Sequence, residues 1–362
     1  MISFAFFAHS HLLCLTKWMT FLHGLMTVVV TFTLHTLLFC GLKSSRQSLI
    51  LFLLRSYSVE SFGQLSRLIL DLSREQFAYL PIDPPKDILE KIPPEMPSFL
   101  DNTPASRELR SAYIQHVISK TLTYRIFQPF LFTLGRRYDK ADTFFHVLSM
   151  DIRRKSVRRE AFWRQQTLKA AYTTSDAKQS INVVAAVIVD EIVDHIKHFA
   201  DPNQLDALLS GIRRIVKLAA ETWRHARVER ELVLATMPAS ESDDVLNAEW
   251  DEYTGGRSVD GRENDNTNNT GASARHVLLR MFPRIYREAA HEDFADDKEK
   301  FNDCVYAAGV VLFSDSPSVL ARRDELARKA TESPSGSNGA GGEGSRAASR
   351  NSTRKSPVSV AA

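Results

Sequence analysis

Cysteine is scarce in this chain. Three occur in 362 residues, at Cys14, Cys40 and Cys304, and no Cys-x-x-Cys is present. The odd number and wide spacing argue against a disulfide framework and against a zinc site built on thiolates. Residues 56–303 hold none, which suits a reducing compartment. Glycine is the second shortage. Between Leu65 and Tyr253 only Gly135 and Gly211 occur. A doubly wound nucleotide fold needs glycine turns at its phosphate loop, so this scarcity opposes that class. No P-loop and no Gly-x-Ser-x-Gly elbow is present. A literal Gly-x-Gly-x-x-Gly occurs at Gly339, Gly341 and Gly344, but it sits in low-complexity sequence with no strand before it. No cofactor is implied.

Acid is missing from the N-terminus, where no Asp or Glu precedes Glu60. Residues 18–42 are 25 residues without a formal charge, bounded by Lys17 and Lys43. At helical rise they span roughly 37 Å, more than the roughly 30 Å of bilayer hydrocarbon. The stretch reads as a candidate transmembrane helix, and it offers a contact with membrane or anionic lipid. Trp18 suits an interfacial anchor, and Lys43, Arg46 and Arg55 outweigh Lys17, which would put the body in the cytosol. Five threonines, His23 and His35 dilute the span. A cleaved or interfacial segment, or an incorrectly assigned start, stays open, with cytoplasm or nucleus as the compartment if residues 1–55 are no anchor.

What is present is helical pattern. Phe62, Leu65, Ile69 and Leu72 recur at spacings of three and four, predicting an amphipathic helix over residues 58–79. Pro81, Pro84, Pro85, Pro93, Pro94 and Pro97 then forbid helix over a long connector, whose Ile82, Ile88, Leu89, Ile92, Met96 and Phe99 suggest packing along a surface. Thr103-Pro104 starts a helix to about Gln128, where Pro129 ends it. A short piece covers residues 130–134, and a long helix runs over about 140–172. Asp176 with Gln179 starts the next, over about 177–199, striped by Val184, Val187, Ile188, Ile192, Ile196 and Phe199. Asp201-Pro202 starts another. Its Leu205, Leu209, Ile212, Val216, Ala219, Trp223 and Ala226 form a heptad seam, interrupted at Arg230, resumed at Val233 and reaching Thr236.

Residues 240–272 read as a polar linker with room for one helix at 245–253. Residues 273–330 return to helical pattern, kinked at Pro283, with Ser316-Pro317 starting the last helix. From residue 331 the Ser/Gly/Arg tail has too little apolar content to fold. The expectation is an all-α fold. An apolar segment (1–55) precedes a helix and Pro-rich connector (56–102), a multi-helix bundle (103–239), the linker, C-terminal helices and the tail. Short connections favour antiparallel neighbours in such a bundle.

Three groups of residues carry chemistry. Glu191, His195 and His198 lie at helical spacing and could supply part of a metal site. Ile188, Ile192 and Ile196 claim the buried face, however, and no second helix offers a matching Glu-x-x-His, so an ordinary solvated face is the stronger reading. Arg153, Arg154, Lys155, Arg158, Arg159 and Arg164 make a basic run opposite a Met150, Val157, Ala161, Leu168 stripe. It could receive an acidic protein partner, anionic lipid or nucleic acid, or simply pair with neighbouring acids. Arg153-Arg154-Lys155-Ser156-Val157 also resembles a basophilic kinase site, which a stably folded helix would keep from a kinase; Ser356, in the tail, is the more accessible phosphorylation candidate. Sequons at Asn268 and Asn351 matter only for a lumenal body. The leading expectation is a non-enzymatic interaction or scaffold protein with a protein partner. A nucleic-acid- or chromatin-associated protein and a helical metalloenzyme are the alternatives.

Overall fold

The computed structural model describes residues 43–79, 82–127, 130, 139–173, 175–238, 250–254, 276–294 and 304–332. Two compact units divide the chain, Met1–Arg322 and Arg323–Ala362; in the second, only residues 323–332 are described.

Thr103 caps the helix around which the first unit assembles. Its hydroxyl accepts from the Ser106 amide and Pro104 occupies the first turn, as the sequence predicts. This helix, Pro104–Leu122, buries thirteen of its nineteen residues, so it is central rather than amphipathic. A π-helical turn, Thr123–Phe127, extends it. Numbered along the chain, α1 is Lys43–Glu75, α2 the single turn Lys86–Leu89 and α3 the central helix. The helices α4 (Asp139–Lys155), α5 (Val157–Thr173), α6 (Ser175–Ile196) and α7 (Leu205–Ala226) follow. The last, α8 (Pro317–Glu332), crosses the boundary between the units. α3 packs on α1 and α6, and α7 packs on α1 and α6.

The stripes read from sequence face this core. Phe62, Leu65, Ile69 and Leu72 of α1 are buried, as are Ile188, Ile192 and Ile196 of α6. On α7 the buried strip includes Ile212, Val216, Ala219, Trp223 and Ala226, broadened by Leu208 and Ile215. The connector packs as expected, with Ile88, Met96 and Phe99 in the main core cluster.

The all-α expectation is overturned. Helix accounts for 66% and strand for 12% of the described residues, in two three-stranded sheets. One sheet orders β1 (Val233–Thr236), β4 (Arg284–Arg287) and β5 (Cys304–Ala307), all antiparallel. The other orders β2 (Trp250–Glu252), β6 (Gly309–Phe313) and β3 (Val277–Phe282); β2 runs parallel to β6 and β3 antiparallel to it. α7 therefore stops at Ala226 instead of reaching Thr236, and Val233 opens a strand rather than resuming the seam. The helix expected over 245–253 holds strand β2 at its end, and the helical reading of 274–313 gives way to four strands. Pro283 is no helix kink: it joins β3 to β4 where the chain passes from one sheet to the other, a place without a ladder amide to lose.

The long helix expected over 140–172 is two helices, broken at Ser156. Phe145 stacks on Trp163 and the Ser149 hydroxyl donates to Glu160, so α4 and α5 form an antiparallel hairpin. The single-pass membrane placement is also corrected: among the described residues no helix is long and apolar enough to cross a membrane. The span expected at 18–42 lies outside the described residues, as do the lipid contact assigned to it, the tail from 333, Ser356 and both sequons.

Candidate functional site

The α4–α5 corner gathers more of the singled-out residues than any other place. α4 ends at Lys155, and Ser156 is the residue between the helices. Its backbone carbonyl accepts from the Glu160 amide, and its hydroxyl accepts from the Arg159 amide at 3.4 Å, so Ser156 caps α5. The same hydroxyl donates to Asp293 Oδ2 at 2.8 Å, and that carboxylate also accepts from the Arg158 amide. Asp293 thus serves as a second cap supplied from far along the chain, placed where the positive end of the helix favours an anion. The Ser156 hydroxyl first, then the Arg158 amide, hold the Asp293 carboxyl below the usual carboxylate range.

Apolar contacts reinforce this clasp. Phe294 forms a small buried cluster with Val157 and Ala161. The Arg230 guanidinium lies 4.6 Å and the Arg158 guanidinium 5.7 Å from its ring centre, within cation–π range. A cleft of about 480 Å³ opens between the corner and residues 288–294, lined by Arg153, Val157, Glu231, Glu288, His291 and Phe294 among others. Two of its three carboxylates meet arginines: Glu288 pairs with Arg153, and Glu231 accepts from Arg230 at 2.7 Å; Glu292 is the third. The cleft is polar, with both signs of charge in its walls.

Beneath the corner lies a buried network. Arg164 is fully buried; its Nε donates to Glu160 at 2.9 Å, and its terminal nitrogens donate to the carbonyls of Arg227, Glu229 and Arg230. Arg153 reaches within 4.0 Å of Glu160. Arg164 is therefore an interior pin for the segment after α7, whereas Arg154, Lys155, Arg158 and Arg159 are exposed. The basic run is thus split between a surface set and an interior set.

A second polar cluster joins α1 to the sheets. Glu229 accepts from Tyr306 and Ser58, with Arg287 nearby at 3.9 Å. Burial, ahead of these partners, raises the Glu229 carboxyl, and burial also raises the Tyr306 phenol.

The metal candidates diverge. Glu191 pairs with Arg125 at 3.1 Å, and His195 Nε2 lies 3.5 Å from the Tyr113 hydroxyl. Burial, then Lys91, lowers the His195 imidazole. His198 sits in the 3-10 turn after α6. Among the described residues no group of three or more His, Cys, Asp or Glu is placed to hold a metal ion.

Asp293, Glu288 and Phe294 are residues of this site that the sequence does not single out, because the pattern of residues 273–330 predicts helix there. The local signal there is weak: Asp293 is the one short polar residue of 291–294, and a single Asp is compatible with either a turn or a helix start. Protein-family models, curated proteins and solved structures offer no match to this chain.

Proposed function

We propose that this chain is a non-enzymatic interaction protein whose α4–α5 hairpin receives an acidic, amphipathic segment of a protein partner. One observation carries the reading. Of the eight large hydrophobic side chains exposed among the described residues, four lie on this hairpin: Phe144, Val147, Met150 and Phe162. Phe144, Val147 and Met150 recur every three residues on the outer side of α4. Arg154 continues that side, while Arg158 and Arg159 flank Phe162 on α5.

Apolar anchors beside cations suit a partner that brings both apolar side chains and carboxylates. Burying the aromatic and aliphatic groups supplies affinity. The cations raise the association rate and set the orientation. Phosphate-backbone binding would need the cations alone and would leave Phe144 and Val147 without a role.

A photoreactive residue placed at Phe144, with another at Val183 as an exposed control on α6, tests this. The expected result is an adduct at position 144 whose partner peptide is acidic and apolar. It should fall about tenfold with Arg154→Glu/Arg158→Glu/Arg159→Glu and with rising salt. Adducts to RNA or DNA with a steep salt slope would replace this reading by the nucleic-acid one. Equal adducts at 144 and 183, or robust turnover of a substrate by the purified chain, would reject it.

A further inference from the structure

We propose that Ser156 is a phosphoacceptor for a basophilic serine/threonine kinase, and that its phosphorylation releases residues 291–294 from the α4–α5 corner. The proposal joins a motif to a geometry. Arg153, Arg154 and Lys155 precede Ser156 and Val157 follows it, which is the pattern of side chains a kinase with an acidic substrate groove reads. The structure places this serine in the one-residue break between two helices, half-buried, with Arg154 and Lys155 exposed beside it. Its amide still donates to the Ile152 carbonyl and its carbonyl accepts from the Glu160 amide, but the ladder is interrupted just after it, where the Arg158 and Arg159 amides turn to the Asp293 and Ser156 side chains, so the corner must open for a kinase to reach the hydroxyl.

The hydroxyl to be modified is the one that closes the clasp. In the closed corner Ser156 donates its only proton to Asp293. For transfer the hydroxyl must leave Asp293. Oγ then attacks the γ-phosphorus of ATP, the bond from that phosphorus to the ADP oxygen breaks, the hydroxyl proton passes to the kinase's catalytic base, and ADP departs. The product oxygen has no proton left to donate. A phosphate carrying nearly two negative charges then stands where the Asp293 carboxylate sat.

The two anions compete for one place, and the phosphate is the stronger ligand for it. It is covalently tethered at the start of α5, beside the Arg158 and Arg159 amides, and Arg158 and Arg159 are exposed in the same first turn. Asp293 is tethered only through its loop and would face the phosphate as a second anion on the same two amides. Opening of the corner exposes the serine, and the phosphate then prevents reclosure. The two-state element is the 3-10 turn Glu292–Phe294 with its Phe294 anchor. The cleft of about 480 Å³ widens when that turn departs.

The test treats the folded full chain with ATP and a purified Arg-Arg-x-Ser-directed kinase. Phosphate is mapped by mass spectrometry, and a peptide of residues 150–160 serves as reference substrate. Stoichiometric phosphate on Ser156 is expected, none on Ser156→Ala, and amides 291–294 exchanging hydrogen about tenfold faster in the modified chain. Asp293→Ala should speed phosphorylation of Ser156 in the folded chain several-fold, towards the rate of the peptide. Circular dichroism confirms that each variant is folded. Phosphorylation of the peptide but not of folded Ser156 would overturn the proposal. So would modification of Ser156 that leaves exchange at 291–294 unchanged.

Discussion

Three buried arginines hold the irregular parts of this protein in place. Arg110 donates to the carbonyls of Phe77, Phe99 and Asp101, and Arg322 donates to the Ser98 carbonyl and pairs with Asp101. Arg164 does the same for residues 227–230. A guanidinium has five N–H donors in a rigid fork, so one side chain can satisfy several loop carbonyls that no ladder reaches. Arg164→Ala would take the closest cation from Glu160, leaving it Ser149 and the more distant Arg153, and would remove the donor of three carbonyls; a loss of about 3–5 kcal/mol is expected in urea unfolding. Arg164→Lys should recover less than half of it, because an ammonium cannot span the same acceptors; full recovery would reject the fork account. His116 is a second interior group with a measurable role. Its Nδ1–H donates to the Arg280 carbonyl at 2.7 Å, joining α3 to β3. Burial lowers its imidazole to about 4, against an ordinary value of 6.5. Protons bind the unfolded chain first as pH falls between those values, so His116 supports folding above about 6.5 and loses that contribution, about 3 kcal/mol in all, towards pH 4. Wild-type stability should therefore fall more steeply than that of His116→Gln over this interval, and parallel falls would sink the assignment. Sequence shows these arginines but not their depth. An arginine beside a loop and one on a solvated face have the same local neighbours.

Elements with a long apolar stripe were legible. α1, α6 and α7 each repeat apolar residues for three turns or more, and a period near 3.6 identifies them without tertiary information. The strands were not. β1, β4 and β5 alternate buried and partly exposed residues, but over only four positions each, too few to separate a period of two from a helical one. β3 buries five of six residues and shows no alternation at all. A strand covered on both faces reads as a plain apolar run. The break at Ser156 was equally hidden, since both halves of the hairpin are good helix formers. Gly309 shows what the sheets require. A Cβ there would lie 2.1 Å from Cε3 of the Trp250 ring, in the strand pair β2–β6. The indole is rigid, so Gly309→Ala should cost about 1–3 kcal/mol. Adding Trp250→Val should return most of it; no recovery in the double variant would exclude the ring contact as the cause.

One main cluster of buried residues ties helices and strands together in the first unit. It includes Phe62 of α1, Ile118 of α3, Trp223 of α7, Leu279 of β3 and Tyr306 of β5. Such a shared core predicts that helices and sheets melt together. Cys304 reports on this. It is 4% exposed within β5, and its thiol should resist modification until the whole unit opens. In a chain with Cys14→Ser and Cys40→Ser, the urea midpoint for Cys304 labelling should coincide with the loss of helical circular dichroism. Labelling well before that loss would show that the strands open separately.

By itself the sequence determined the helical stripes, the proline connector that lies along the core, the Thr103 and Ser316 helix starts, and the basic motif ending at Ser156. Each is written in neighbours within a few turns, where capping, periodicity and proline stereochemistry act. Tertiary structure alone decided that residues 233–313 contribute strands, that Arg164 faces inward, and that Asp293 caps α5 from 137 residues beyond Ser156. Those outcomes depend on pairing between distant segments, whose free energy comes from partners that no local window contains.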